Sequence, residues 1–124
     1  MPHVVLQGVT VEDWKRRHAP FVVREADRVF KMDRLYVDTN GRAALLETIL
    51  VAGSHTQKFF IQLSNREGGL TVRLEPLTDP EKNPGVKRAL ALVAHRIQAA
   101  TGCRYGSTNI AEYLLPSGDG VREG

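Results

Sequence analysis

RVFKMDRLYVDTNGRAALLETILVAGSHTQKFFIQLSNREGGLTVRLE, residues 28–75, alternates apolar and polar side chains with a period of two. It is interrupted by turn formers at Asn40-Gly41, Gly53–Thr56 and Ser64–Gly69. A period of two places successive side chains on opposite faces of a strand, so this stretch predicts a four-stranded antiparallel meander over 28–38, 42–52, 57–64 and 69–75. Asn40-Gly41 is the preferred pair for a tight hairpin turn, because both central residues need positive φ. A two-residue loop there sets Tyr36 opposite Leu45, Arg34 opposite Glu47, Met32 opposite Ile49 and Phe30 opposite Val51. Even-length turns further on set Glu47 beside Gln62, Ile49 beside Phe60, Phe60 beside Arg73 and Lys58 opposite Glu75.

Outward from the meander, upstream residues His3 to Val9 predict a short strand. Thr10 and Asp13 form a capping-box pair that starts a helix near Val11. Pro20 lacks the N–H a helix needs, so that helix ends near His18. Downstream, Asn83 is a helix N-cap, Pro84 suits the first helical position and Gly102 follows the end, which predicts a helix over 84–101. Val86, Leu90, Val93, Ile97 and Ala100 form one apolar stripe on it, with Arg88, His95 and Gln98 pointing away. A last helix is expected from Asn109 to Leu115. The expectation is therefore an α+β fold: the meander with the long C-terminal helix packed on one face, preceded by a short strand and a short helix. Residues 1–115 form one domain in this reading, and 116–124 form a disordered tail.

The registers sort the meander into two faces. One carries Leu35, Val37, Leu46, Leu50, Phe59, Ile61, Leu63, Leu70, Val72 and Leu74 and is the expected core. The other mixes Phe30, Met32, Tyr36, Leu45, Ile49, Val51 and Phe60 with Arg34, Glu47, Lys58, Gln62, Thr71 and Arg73. A solvated sheet face is normally polar, so this one should touch something. Three occupants compete: the N-terminal strand and helix with Trp14, a protein partner or second copy, and a single-stranded nucleic acid stacked on the aromatic rings. Glu47 in the centre opposes the third, because a carboxylate repels phosphate.

Composition narrows the class. The chain has 124 residues with 42% hydrophobic and 25% charged, which fits an ordinary globular domain and excludes collagenous, disulfide-stapled and low-complexity chains. The net charge of +3 is weak attraction for an anionic partner. Cys103 is the single cysteine, which fits a reducing compartment. Met1-Pro2-His3 does not resemble a signal peptide and no long apolar run occurs, so a cytoplasmic location and no membrane partner are expected.

Reactive groups do not converge in the sequence. His3, His18, His55 and His95 lie on separate elements with no metal-ligand spacing, so no metal or cofactor is expected. Cys103 follows a helix end, where the negative dipole disfavours a thiolate. Ser107-Thr108 suits a helix cap, Glu47 and Asp33 point to opposite faces, and Gly68-Gly69 lies in a hairpin rather than a phosphate loop. Candidate anion contacts are Lys15, Arg16 and Arg17 at the first helix end, and Lys87, Arg88, Arg96 and Arg104, which with Lys82 make five cations and no acid between 82 and 111. The leading expectation is a non-catalytic interaction module: a homo-oligomer or protein-binding adaptor acting through Phe30, Met32, Arg34, Tyr36, Glu47, Ile49, Phe60 and Arg73. The alternatives are a weak nucleic-acid binder using the sheet and helix cations, and a small enzyme or ligand carrier with a pocket at Arg34, Glu47 and Tyr36.

Overall fold

The turns after each apolar run set the strand pairing, and in the computed structural model, which describes residues 1–78 and 80–114, that pairing extends well beyond the meander. Seven strands, β1 (His3–Gln7), β2 (Phe21–Glu25), β3 (Arg28–Val37), β4 (Ala43–Ala52), β5 (His55–Arg66), β6 (Gly69–Leu74) and β7 (Arg104–Thr108), form one sheet. Their order is β2-β3-β4-β5-β6-β1-β7, and every neighbouring pair is antiparallel. Three helices, α1 (Val11–Lys15), α2 (Pro84–Thr101) and α3 (Ala111–Leu114), complete the described chain.

This corrects the expected α+β architecture of a four-stranded meander with a long helix on one face. The fold is a curled antiparallel half-barrel, to which β1, β2 and β7 contribute three further strands. Phe21–Glu25 pairs with β3 through a two-residue turn whose Ala26 adopts φ 52°, a conformation without the usual Gly or Asn signature. β1 lies between β6 and β7 rather than apart from the sheet. Ser107-Thr108, expected as a helix cap, lies at the end of an edge strand, Arg104–Thr108. The tail expected over 116–124 lies outside the described residues.

α2 is not a lid with one buried stripe. Asn83 caps it, its Oδ1 accepting the Val86 N–H at 2.9 Å, and Gly102 ends it at φ 73°. Between these caps the consecutive residues Ala89 to Ala94 are all buried, which on a 3.6-residue period means burial on every side. The helix fills the concave side of the sheet, where Val86, Leu90, Val93 and Ile97 join Leu6, Leu46, Ile61, Leu63, Leu70, Val72 and Leu74 in one core. α1 packs on the same concave side, its Trp14 and Val11 buried in that core and its capping box closed by Thr10 and Asp13. Arg88 of α2 is buried too. It grips Glu25 of β2 through Nη2 at 2.7 Å and Nε at 3.1 Å, and its Nη1 donates to the Tyr113 carbonyl of α3.

The registers differ from expectation at defined places. On the loop side of β3 the expected pairs hold, Tyr36 opposite Leu45 and Leu35 opposite Leu46. Between Met32 and Leu35 a bulge inserts one extra residue, so Met32 pairs with Thr48 and Phe30 with Leu50. One extra residue reverses the facing of everything beyond it. Phe30 and Met32 therefore turn into the core, where they are 0% and 1% exposed. Gly53-Ser54 and Glu67-Gly68 close two-residue turns, which moves the β4/β5 and β5/β6 pairings by two residues and preserves their faces. Ile49 then faces Lys58, Glu47 faces Phe60 and Gln62 faces Arg73, in place of the expected Glu47–Gln62, Ile49–Phe60, Phe60–Arg73 and Lys58–Glu75 neighbours.

Gly69 marks the closest backbone approach. A Cβ there would lie 2.0 Å from the Leu6 carbonyl oxygen of β1. Gly69→Ala is expected to push β1 from β6 and cost about 2–3 kcal/mol, the upper range for overpacking, read as a lowered urea midpoint.

Candidate interaction face

The convex face of the sheet carries the surface that the alternation of β3, β4 and β5 leaves over after the core is filled. Reading across the strands, Val22, Lys31, Ile49 and Lys58 make one row. Glu47 and Phe60 make the next, and Tyr36, Leu45, Gln62, Arg73 and His3 make the third. Neither β1 nor α1 covers this face, since β1 joins the sheet and α1 packs on its concave side. The N-terminal cover expected as one option is therefore absent among the described residues.

Its centre is an edge-to-face aromatic pair. Tyr36 and Phe60 have centroids 6.2 Å apart at 75°, the geometry that sets a ring edge against a ring face. Tyr36 is 46% exposed, while Leu45, Ile49, Val51 and Phe60 are half-buried. Arg34, in the bulge, is held further in its charged form, first by a side-chain hydrogen bond with Tyr36, then by the charges of Tyr36, Asp33 and Glu47. No Arg34–Glu47 ion pair forms among the described residues, and Glu47 acts on Arg34 through its charge at longer range. Arg73 Nε donates to Gln62 Oε1 at 2.6 Å, which fixes both side chains flat on the face.

Three depressions lie on this face, two of them bordering the pair. One of about 340 Å³ lies among Tyr36, Leu45, Gln62 and Glu75, and one of about 260 Å³ among Glu47, Ile49, Lys58, Phe60 and Thr78. A third, of about 390 Å³, lies among Pro20, Val22, Lys31, Asp33 and Ile49. The turn after β6 stands at the rim, tied to β5 by the Phe60 N–H to Thr78 Oγ1 and the Glu75 N–H to the Phe60 carbonyl. Leu77, in that turn, is 94% exposed. Alternation could not have flagged it, because it lies outside every strand.

Of the eight residues expected on this face, the structure brings Arg34, Tyr36, Glu47, Ile49, Phe60 and Arg73 to it. Phe30 and Met32 leave it for the core. The expected anion contacts do not gather. Lys15 pairs with Glu12 at 2.8 Å, and Arg17 Nη1 donates to the Ala100 carbonyl at the end of α2. Arg88 is buried on Glu25, Arg96 stacks 4.3 Å over Phe21 and Lys87 lies 5.9 Å over Tyr113. Arg16 and Arg104 are exposed at opposite parts of the chain, Arg104 beside Arg66, Glu67 and Ser107.

Chemistry elsewhere is sparse. Among the described residues no three His, Cys, Asp or Glu side chains come together as a metal site. Cys103 is free and buried. Burial, and secondarily the Cys103 charge, push the nearby Tyr105 phenol above its ordinary range, while Arg88 pulls the other way. Thr108 Oγ1 donates to the His3 carbonyl and accepts the Ile110 N–H, so its hydroxyl serves the β1–β7 junction. No helix among the described residues is long and apolar enough to cross a membrane. No protein-family model, curated protein or solved structure matches this chain, so its own surface chemistry carries the functional argument.

Proposed function

We propose that the protein is a non-catalytic interaction module whose convex sheet face binds protein, in the first instance a second copy of the same chain. The observation that carries this reading is the Tyr36–Phe60 pair exposed at the middle of a half-apolar face that no described segment covers. Aromatic and Arg side chains at the centre with charges around them are the usual composition of protein contact surfaces. Area is consistent as well. Six strands at roughly 4.8 Å spacing and about seven residues at roughly 3.4 Å rise give about 700 Å² per copy, near the usual share of a standard interface.

The charges support a protein over a nucleic acid. Glu47, Glu75 and Asp33 alternate with Lys31, Lys58, Arg34 and Arg73 around the pair, whereas a phosphate-tracking groove needs one sign. A pocket at Arg34, Glu47 and Tyr36 would favour a ligand carrier, but Tyr36 and Glu47 line separate depressions. The buried free thiol of Cys103 supports a reducing, cytoplasmic setting.

Ile49→Asp puts a charge between two of the depressions without entering the core. Sedimentation velocity is expected to show the wild-type chain associating with rising concentration and the variant staying at 13.8 kDa with unchanged circular dichroism. Identical sedimentation of the two proteins would contradict self-association through this face.

A further inference from the structure

The concave face is apolar until its last rows, and there it changes character. Beyond the first turn of α2, Arg28, Ala52 and His55 lie in one row across β3, β4 and β5, and Leu50 and Gln57 lie in the next. With Asn83, Pro84 and Gly85 they line an open cleft of about 240 Å³ on the opposite side of the sheet from the interaction face. Its floor is Leu50, Ala52 and Pro84. Its polar wall holds Arg28, His55 and Gln57 and no carboxylate.

Two groups in this wall lack their complement. The Arg28 guanidinium is half-buried, 5.7 Å over the Phe30 ring, and no acid among the described residues pairs with it. Gln57 Oε1 is buried without a hydrogen-bond partner. A cation held against apolar surface without a counter-charge is costly, and a planar carboxylate matches the guanidinium fork through two parallel bonds. Gly85 keeps the inner end open, since a Cβ there would meet Leu50 Cδ2 at 2.8 Å and Arg28 Nη1 at 3.4 Å. The first turn of α2 supplies little, because Asn83 already takes the Val86 N–H and Pro84 has none to give.

We propose that this cleft binds a small monocarboxylate with a short apolar body, the carboxylate on Arg28 and the apolar part on Leu50 and Ala52. A half-turn of the Gln57 amide presents its N–H groups to the same carboxylate, and His55 closes the mouth. The site stands whether or not the convex face associates.

The test is a titration of the nitrogen-15-labelled full chain with sodium hexanoate, with hexan-1-ol and inorganic phosphate as probes lacking the charge or the apolar body. Hexanoate is expected to shift the Gly85 and Gln57 backbone signals saturably, with Kd of about 1 mM. The other two should bind at least about tenfold more weakly. Arg28→Gln should weaken hexanoate about tenfold or more, and Arg28→Lys, which keeps a charge over Phe30, should weaken it about threefold or more through loss of the fork. His55→Gln, at the exposed start of β5, should weaken it about twofold. Absence of saturation, equal binding of hexanol or phosphate, or undiminished affinity in a folded Arg28 variant would overturn the proposal.

Discussion

Glu25→Ala is expected to lower the unfolding free energy by about 3–5 kcal/mol, a large share of the total for a domain of this size. The reason is the environment of its partner. The Arg88 and Glu25 side chains are only 9% and 11% exposed, and their contact ties β2 to α2 while Arg88 also serves the Tyr113 carbonyl of α3. Removing the carboxylate leaves a guanidinium buried in the half-barrel with one neutral acceptor. Removing both charges should do much less harm: Glu25→Leu with Arg88→Met is expected to recover most of the loss, because two apolar side chains avoid the desolvation penalty. Urea unfolding of the wild type and these two variants measures this. A loss below about 1 kcal/mol for Glu25→Ala would mean that the pair is solvated and does not close the sheet against the helix.

The second large effect separates the two faces of the sheet. Met32→Asp would place a carboxylate in the core beside Phe21 and Thr48, and the chain is expected not to fold, since the cost rivals the whole stability. Ile49→Asp, on the neighbouring strand but the other face, should stay folded within about 1 kcal/mol of wild type. Thermal unfolding followed by circular dichroism distinguishes them. A folded Met32→Asp protein would remove the bulge at Asp33 and Arg34 from the account.

That bulge also shows what was legible in the residues. The strand boundaries of β3 and β4, the facing of Leu46, Ile61 and Leu70, and the caps of α2 follow from alternation, turn residues and Asn83-Pro84 alone. The bulge left a trace that strict alternation hides: apolar positions run Phe30, Met32, then Leu35, Val37, with the two polar residues Asp33 and Arg34 between them. A change of parity across a polar pair is the mark of an inserted residue. Its supporting contact was not legible, because the Asp33 carbonyl accepts from His18 Nε2 at 2.7 Å across 15 residues. β2 was missed because its turn uses Ala26 and Asp27, and β7 because Arg104–Thr108 has one large apolar side chain to mark it. Arg88 read as a surface cation because a helix stripe assumes one buried side, whereas the middle of this helix, Arg88 to Ala94, is buried all round. Of the candidate face, Tyr36 survived because its pairing with Leu45 lies on the loop side of the bulge, and Ile49 and Phe60 because pairing shifts of two residues conserve facing.

The most direct measurement is thiol labelling of Ile49→Cys and Met32→Cys single variants in a Cys103→Ala background, followed as protein concentration is raised. The account predicts that the Ile49→Cys thiol reacts readily in dilute solution and becomes protected as the chains associate, while the Met32→Cys thiol stays unreactive throughout. An Ile49→Cys thiol that reacts equally at every concentration, or a Met32→Cys thiol that reacts as fast, would contradict it.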